Sequence, residues 1–317
     1  NVIQHGIDIH NGYIYIHGGF DISKTWRLNL NKLDAWEEMN PRGQYPSTKN
    51  GDTIVFYENI MYQYGGQDSK YIYTLDLSLN QWEKKLDTGT SLRFHVSVQY
   101  KDKIIMLLGN QYNNSSDDTL VNKVYEYNIT NNTFNLIHDG SGAVPNIRYQ
   151  HTGILYGDNV YVYGGGDAAS SATYYNDVWK YDILQNEWSE ITTSGTGPGT
   201  FVSPSSFLYN DFMYIVGGGD GANSTEIHRL NLKTYIWEKI DSYNNYKPSK
   251  IVYGGRKGIV YKDNVYFFNG RVGNNKTWKL RLLETDCKFN FTNIYKTIEY
   301  DKTNIDSSVN KIKNIGG

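Results

Sequence analysis

Apolar residues along this chain come in short runs broken by Gly, Asn and Asp, and the stretch from Arg148 to Ile191 shows the pattern most completely. Arg148 to Tyr156 reads as a first strand and Val160-Tyr-Val-Tyr163 as a second, ending at Gly164-Gly165. Between them Gly157-Asp158-Asn159 supplies residues that tolerate the positive φ of a tight hairpin. After a loop, Val178 to Ile183 forms a third strand and Trp188 to Ile191 a fourth. Short runs rich in β-branched and aromatic residues, separated by such turns, predict a four-stranded antiparallel meander. Similar turn chemistry stands at Asn11-Gly12, Glu58-Asn59, Asn210-Asp211 and Asp263-Asn264.

The meander is repeated. A phrase made of a ring-bearing residue, an apolar residue, usually Asn or Asp, and a second aromatic recurs six times. It runs from Trp26 to Trp36, Tyr73 to Trp82, Tyr125 to Phe134, Trp179 to Trp188, His228 to Trp237 and Trp278 to Phe289. A glycine doublet or its remnant precedes each: Gly18-Gly19, Gly65-Gly66, Leu108-Gly109, Gly164-Gly165, Gly217-Gly218 and Asn269-Gly270. Successive doublets lie 47, 43, 56, 53 and 52 residues apart, the length of one supersecondary unit copied around a ring or along a stack. Such a unit has two apolar faces and buries both only against neighbours. The closing aromatics Trp36, Trp82, Phe134, Trp188, Trp237 and Phe289 are therefore expected to wedge between units. All six prolines fall between a closing aromatic and the next doublet, where no ladder hydrogen bond is lost.

These features resemble the kelch repeat: Arg and His in a first strand, a Gly-Gly doublet, Trp or Tyr, Asp, and a final Trp. The resemblance implies an all-β fold, a six-bladed kelch-type β-propeller with four antiparallel strands per blade. We expect it to occupy residues 1–294, with 295–317 a C-terminal extension acting as a closing strand or linker. The pattern departs at Leu108 and Asn269, at Arg281 in place of Asp or Asn, and in weak first strands of repeats two and five.

Composition narrows the function. Net charge is -2, which gives no reason to expect nucleic acid or an anionic membrane as a partner. Apolar runs such as Ile104 to Leu108 fall far short of the roughly 18 residues of a membrane helix. Cys287 is the single cysteine, so no intrachain disulfide framework exists, and the expected compartment is reducing and cytoplasmic. The chain opens at Asn1 without a signal-like segment and reads as a monomeric domain of a larger polypeptide. His5, His95 and His151 share one repeat position and are expected to be structural. No metal, cofactor or catalytic residue is expected: H-E-x-x-H and paired cysteines are absent. The resemblance also implies what enzymatic relatives of this fold require. A copper site of the galactose-oxidase kind needs a Cys–Tyr crosslink near the axis, and Cys287 belongs to an outer strand. A Glu-x3-Asp-x3-His iron triad is missing.

Binding is the expectation that remains, carried by loops rather than strands. From the second doublet glycine to the next phrase the separations are 7, 7, 16, 14, 10 and 8, so 110–123 and 166–177 would form one raised wall. Basic residues group near repeats six, one and two, including Arg42, Lys250, Arg256, Lys257 and Arg271; acidic ones, including Asp167, Asp177 and Glu226, group over repeats three to five. Tyr149, Tyr174, Tyr175, Phe201 and Tyr253 add aromatic anchors, and Arg93 and Arg148 are placed to clasp a carboxylate. The expected function is a non-catalytic scaffold for protein–protein interaction, taking a protein or peptide segment, acidic in character, on the loop face. The alternative is an enzyme: a sugar (sialic-acid) mutarotase-like propeller, or a kelch domain joined to a catalytic domain outside this chain.

Overall fold

The computed structural model describes residues 5–19, 23–33, 35–47, 50–67, 69–112, 118–167, 173–218, 224–240, 257–269, 276–282 and 290–295. Among them every regular element is a strand, and no helix is long and apolar enough to cross a membrane. Among the described residues six antiparallel four-stranded meanders follow one another, their strands paired in chain order. The fourth consists of Thr152–Tyr156, Asn159–Tyr163, Val178–Asp182 and Glu187–Ile191. Its first strand starts four residues later than the sequence suggests, because Gln150 takes a φ of 55° and breaks the extended run. The sixth meander ends in Asn290–Tyr295, which extends one residue into the predicted C-terminal extension; 296–317 lie outside the described residues.

The first strands of consecutive meanders lie side by side, so each sheet packs face-on against the next. Among the described residues, the closing aromatics of the first five meanders seal the seams, each resting on a neighbouring meander. Trp82 stacks on His17 with centroids 5.0 Å apart, Phe134 meets Tyr64 at 5.4 Å and Trp237 meets Tyr163 at 5.5 Å. Trp188 shares a buried cluster with Val96 and Val98 of the third meander. Trp36 packs edge-on to Phe268 at 4.5 Å, which joins the first meander to the sixth. In the sixth meander the register puts Phe291, not Phe289, at the closing position: Leu280 faces Phe291 as Leu28 faces Trp36. Phe289 itself, like Gly270, falls outside the described residues.

The glycine doublets lie where one meander backs onto the next. A side chain at Gly164 would sit 2.7 Å from the Phe201 carbonyl, and Gly165 N–H donates to that same carbonyl at 2.8 Å. Gly66 N–H reaches Leu92 O at 2.8 Å in the same way. Leu108, standing where a glycine is expected, keeps the backbone form with φ 59°, a conformation that costs an L-residue about 1–2 kcal/mol. Its burial in the core of the third and fourth meanders offsets that strain.

At the opposite ends of the strands a second set of bonds stitches neighbours together. Tyr100 donates to Asp158 at 2.6 Å, Tyr156 to Asp211 at 2.7 Å and Tyr261 to Asn31 at 2.9 Å. Asp158, read from sequence as a turn residue alone, thus also carries a contact between meanders.

Candidate interaction face

Strands of a meander alternate in direction, so the loops between second and third strands leave each sheet at the same end as the connections between meanders. Both predicted insertions leave the sheets at that end, and their described parts carry strand pairing in the third meander and isolated bridges in the fourth. Ser91–Arg93 pairs with Asn110–Tyr112, which pairs with Asp118–Leu120. In the fourth meander Gly166 bridges both Tyr149 and Tyr174.

The entries to the first strands of the second to fifth meanders carry a residue of positive φ: Gly51 at 78°, Phe94 at 56°, Gln150 at 55° and Ser203 at 52°. Backbone bonds link them, Phe94 N–H to Gly51 O at 2.9 Å and Ser203 N–H to Gln150 O at 2.8 Å. Aligned on these residues, Arg148 is the counterpart of Leu92 and Phe201, whereas Arg93 is the counterpart of Tyr149. The two arginines therefore do not form an equivalent pair.

Arg148 is fully buried. It grips Asp177 through two bonds, Nη1 to Oδ1 at 2.6 Å and Nη2 to Oδ2 at 2.8 Å. Nη1 also donates to Gly164 O at 3.1 Å, and the guanidinium lies 4.3 Å from the centre of the Tyr175 ring. Trp179 Nε1 donates to Asp177 Oδ2 at 2.8 Å. Burial alone would raise the Asp177 carboxyl. The bonds and charge of Arg148 outweigh it and hold the group below the ordinary carboxylate range. The carboxylate that Arg148 was expected to take from a partner is thus supplied by its own chain, and Asp177 leaves the acidic arc for the same reason. Phe201 likewise packs in the core with Tyr163 and Trp237 instead of standing at the surface.

What the face does present is Arg93, half-buried and 5.2 Å from the Phe94 ring, with Phe94 meeting Tyr149 at 6.0 Å. Tyr149, Tyr174 and Tyr175 are half-buried beside it, and Arg42 is exposed in the short strand Arg42–Gly43. Lys257 is bound to Asp8 at 2.5 Å across the seam of the sixth and first meanders, and Glu226 bonds Lys239. Lys250, Tyr253, Arg256 and Arg271 lie outside the described residues. Where the first strands converge, a cavity of about 60 Å³ is lined by His5, Asp52, Thr53, His95, Ser97 and Thr152, among others. Thr53 bonds both His95, at 2.9 Å, and Ser97, at 2.7 Å. Among the described residues no cluster of three or more His, Cys, Asp or Glu is arranged to hold a metal ion.

An all-β chain of repeated meanders, each sealed by an aromatic on its neighbour, defines a repeat protein of the β-propeller class. The chain matches the KLHDC2/KLHL20/DRC7 Kelch-repeats domain model over residues 93–270, and it belongs to the kelch-repeat family. It is 24% identical over 270 residues to acyl-CoA-binding domain-containing protein 5 of Arabidopsis thaliana, covering 77% of this chain and 40% of that protein. Against Kelch domain-containing protein 3 of Rattus norvegicus it is 31% identical over 106 residues, 32% of this chain and 27% of the other. A Drosophila melanogaster homolog of leucine-zipper-like transcriptional regulator 1 is 25% identical over 211 residues, 63% of this chain and 21% of that protein. The chain thus spans well under half the length of these relatives. The solved structure of YjhT superposes with a TM-score of 0.73 at 14% identity, covering 92% of this chain and 97% of that one. At that identity the likeness is one of fold.

Proposed function

We propose that the chain is a six-bladed kelch propeller that serves as a non-catalytic binding module, taking an extended protein segment with acidic residues on its loop face. The observation that carries this reading is the patch of half-buried Arg93, Tyr149, Tyr174 and Tyr175 grouped around buried Phe94, beside the three-stranded sheet of the third meander. Arginine and tyrosine are enriched among the residues that dominate binding energy at interfaces, and the Arg93 guanidinium favours encounter with an acidic segment.

Quantitative affinity capture with the intact protein, an Arg93→Glu variant and a Tyr149→Ala/Tyr174→Ala variant tests the reading. Partners that bind this face should fall about tenfold or more in both variants, with a shallower salt dependence in the first. If all three baits retrieve the same proteins equally, the loop face is not the binding surface.

A further inference from the structure

The outer edges of the meanders differ. Among the described residues two of them carry a fifth strand, supplied by the connection leading into that same meander, and both junctions follow one plan. Arg42–Gly43 lies parallel to Gln81–Trp82, and Ser194–Gly195 lies parallel to Ile236–Trp237. In the first, Arg42 N–H donates to Asn80 O at 3.0 Å and Gln44 N–H to Trp82 O at 3.2 Å. In the second, Ser194 N–H donates to Tyr235 O at 3.1 Å and Thr196 N–H to Trp237 O at 3.2 Å. Asn80 and Tyr235 both have positive φ, 49° and 57°. Both added strands need glycine, since a Cβ at Gly43 or Gly195 would collide with the carbonyl of Trp82 or Trp237.

The fourth meander presents the same acceptors. Asn186, with φ 56°, stands two residues before Trp188 as Asn80 does before Trp82. Trp188 faces Tyr181 as Trp82 faces Leu75 and Trp237 faces Leu230. Its incoming connection even holds the matching dipeptide. Ser141-Gly142 precedes Pro145 at the spacing by which Arg42-Gly43 precedes Pro46 and Ser194-Gly195 precedes Pro198. This segment nevertheless forms no strand. Ser141 N–H donates to Asp139 Oδ1 at 2.9 Å and Gly140 N–H to His138 Nδ1 at 3.0 Å, which turns the chain away. A Cβ on Gly142 would meet nothing within 4 Å, so no tryptophan carbonyl lies against it.

We infer that the outer edge of the fourth meander, at Asn186 and Trp188, docks an extended peptide that adds as a parallel fifth strand. An unpaired edge is a template for such pairing, and main-chain bonds supply the affinity. The two occupied edges define the ligand: a glycine opposite Trp188, with N–H donors on the residues before and after it. Opposite Glu187, which is exposed and stands where Gln81 faces Arg42, the ligand carries Arg or Lys. This site lies on the rim of the sheet and is independent of the loop-face reading.

The chain's own fifth strand provides the probe: a dye-labelled peptide with the sequence of residues 40–46, Asn-Pro-Arg-Gly-Gln-Tyr-Pro, followed by fluorescence polarisation. We expect saturable binding to the intact protein, lost when the peptide's glycine is replaced by valine. Glu187→Lys should weaken it about fivefold, and a peptide with Glu in place of Arg should recover the loss on that variant. Asp139→Ala frees Ser141–Gly142 to compete for the edge and should also weaken binding severalfold. Absence of binding, or binding indifferent to Glu187→Lys and to the glycine replacement, overturns the inference. An unchanged affinity in Asp139→Ala would overturn the role given to Asp139 in holding the edge open.

Discussion

Arg148 illustrates how far a single residue's environment can depart from its place in the sequence. An arginine ahead of a first strand is legible, but its partner Asp177 stands 29 positions later in a loop. Its structural counterparts, Leu92 and Phe201, share no chemistry with it. They are found only by aligning Gly51, Phe94, Gln150 and Ser203, four residues whose common property is a positive φ. Removing the guanidinium strands a carboxylate that is largely enclosed, so Arg148→Ala should lose about 3 kcal/mol in urea unfolding, the low end for a broken buried pair because Asp177 keeps some contact with water. The pair also sets a pH dependence. Asp177's folded carboxyl lies below its unfolded value, so its contribution is complete above roughly pH 4 and drains away as pH falls through the lowered folded value. The urea midpoint should therefore fall as pH drops below about 4, and Asp177→Asn should remove that part of the drop. An identical decline in the variant would assign it to other carboxylates.

At the scale of elements, the repeat was readable because its punctuation is chemical: glycine doublets, Asn and Asp turns, and a closing aromatic that must be buried. In the last repeat the sequence offers two phenylalanines two residues apart, and only the pairing of Leu280 with Phe291 favours the second. The fifth strands were missed because two residues carry no alternation, although the spacing of Gly43 to Pro46 and of Gly195 to Pro198 was a usable signal. Positive φ at Lys101 and Lys262 was equally hidden, since neither lysine advertises a turn. The closing aromatics make the element-scale prediction. Trp188 is 7% exposed and has the packed core of the third meander beneath it, so Trp188→Ala opens a cavity worth about 3–5 kcal/mol. Leu136, 49% exposed on a neighbouring outer strand, should cost under about 0.5 kcal/mol when truncated. Chemical denaturation of the two variants side by side separates a sealing role from a merely hydrophobic one.

For the whole molecule the question is what joins the last meander to the first. Each described meander is built from one contiguous stretch of chain, and among the described residues the last and first meanders meet through packing and side-chain bonds. The joining contacts are Trp36 on Phe268, Lys257 with Asp8 and Tyr261 with Asn31. In a closed ring this seam is one among equals, and a residue there supports the stability of every other seam. In an open stack the two terminal sheets would instead be the weakest places, free to fray independently. The two arrangements make different forecasts for the same substitution. If the proposed ring is closed, Trp36→Ala should cost as much as Trp188→Ala within about 1 kcal/mol and leave unfolding a single transition. The Trp36–Phe268 pair should show a coupling of about 0.5–1.5 kcal/mol in a double-mutant cycle, the usual range for an edge-to-face aromatic contact. A much smaller cost at Trp36, or an early transition confined to the termini, would mean that the first and sixth meanders hold each other too weakly to close the ring.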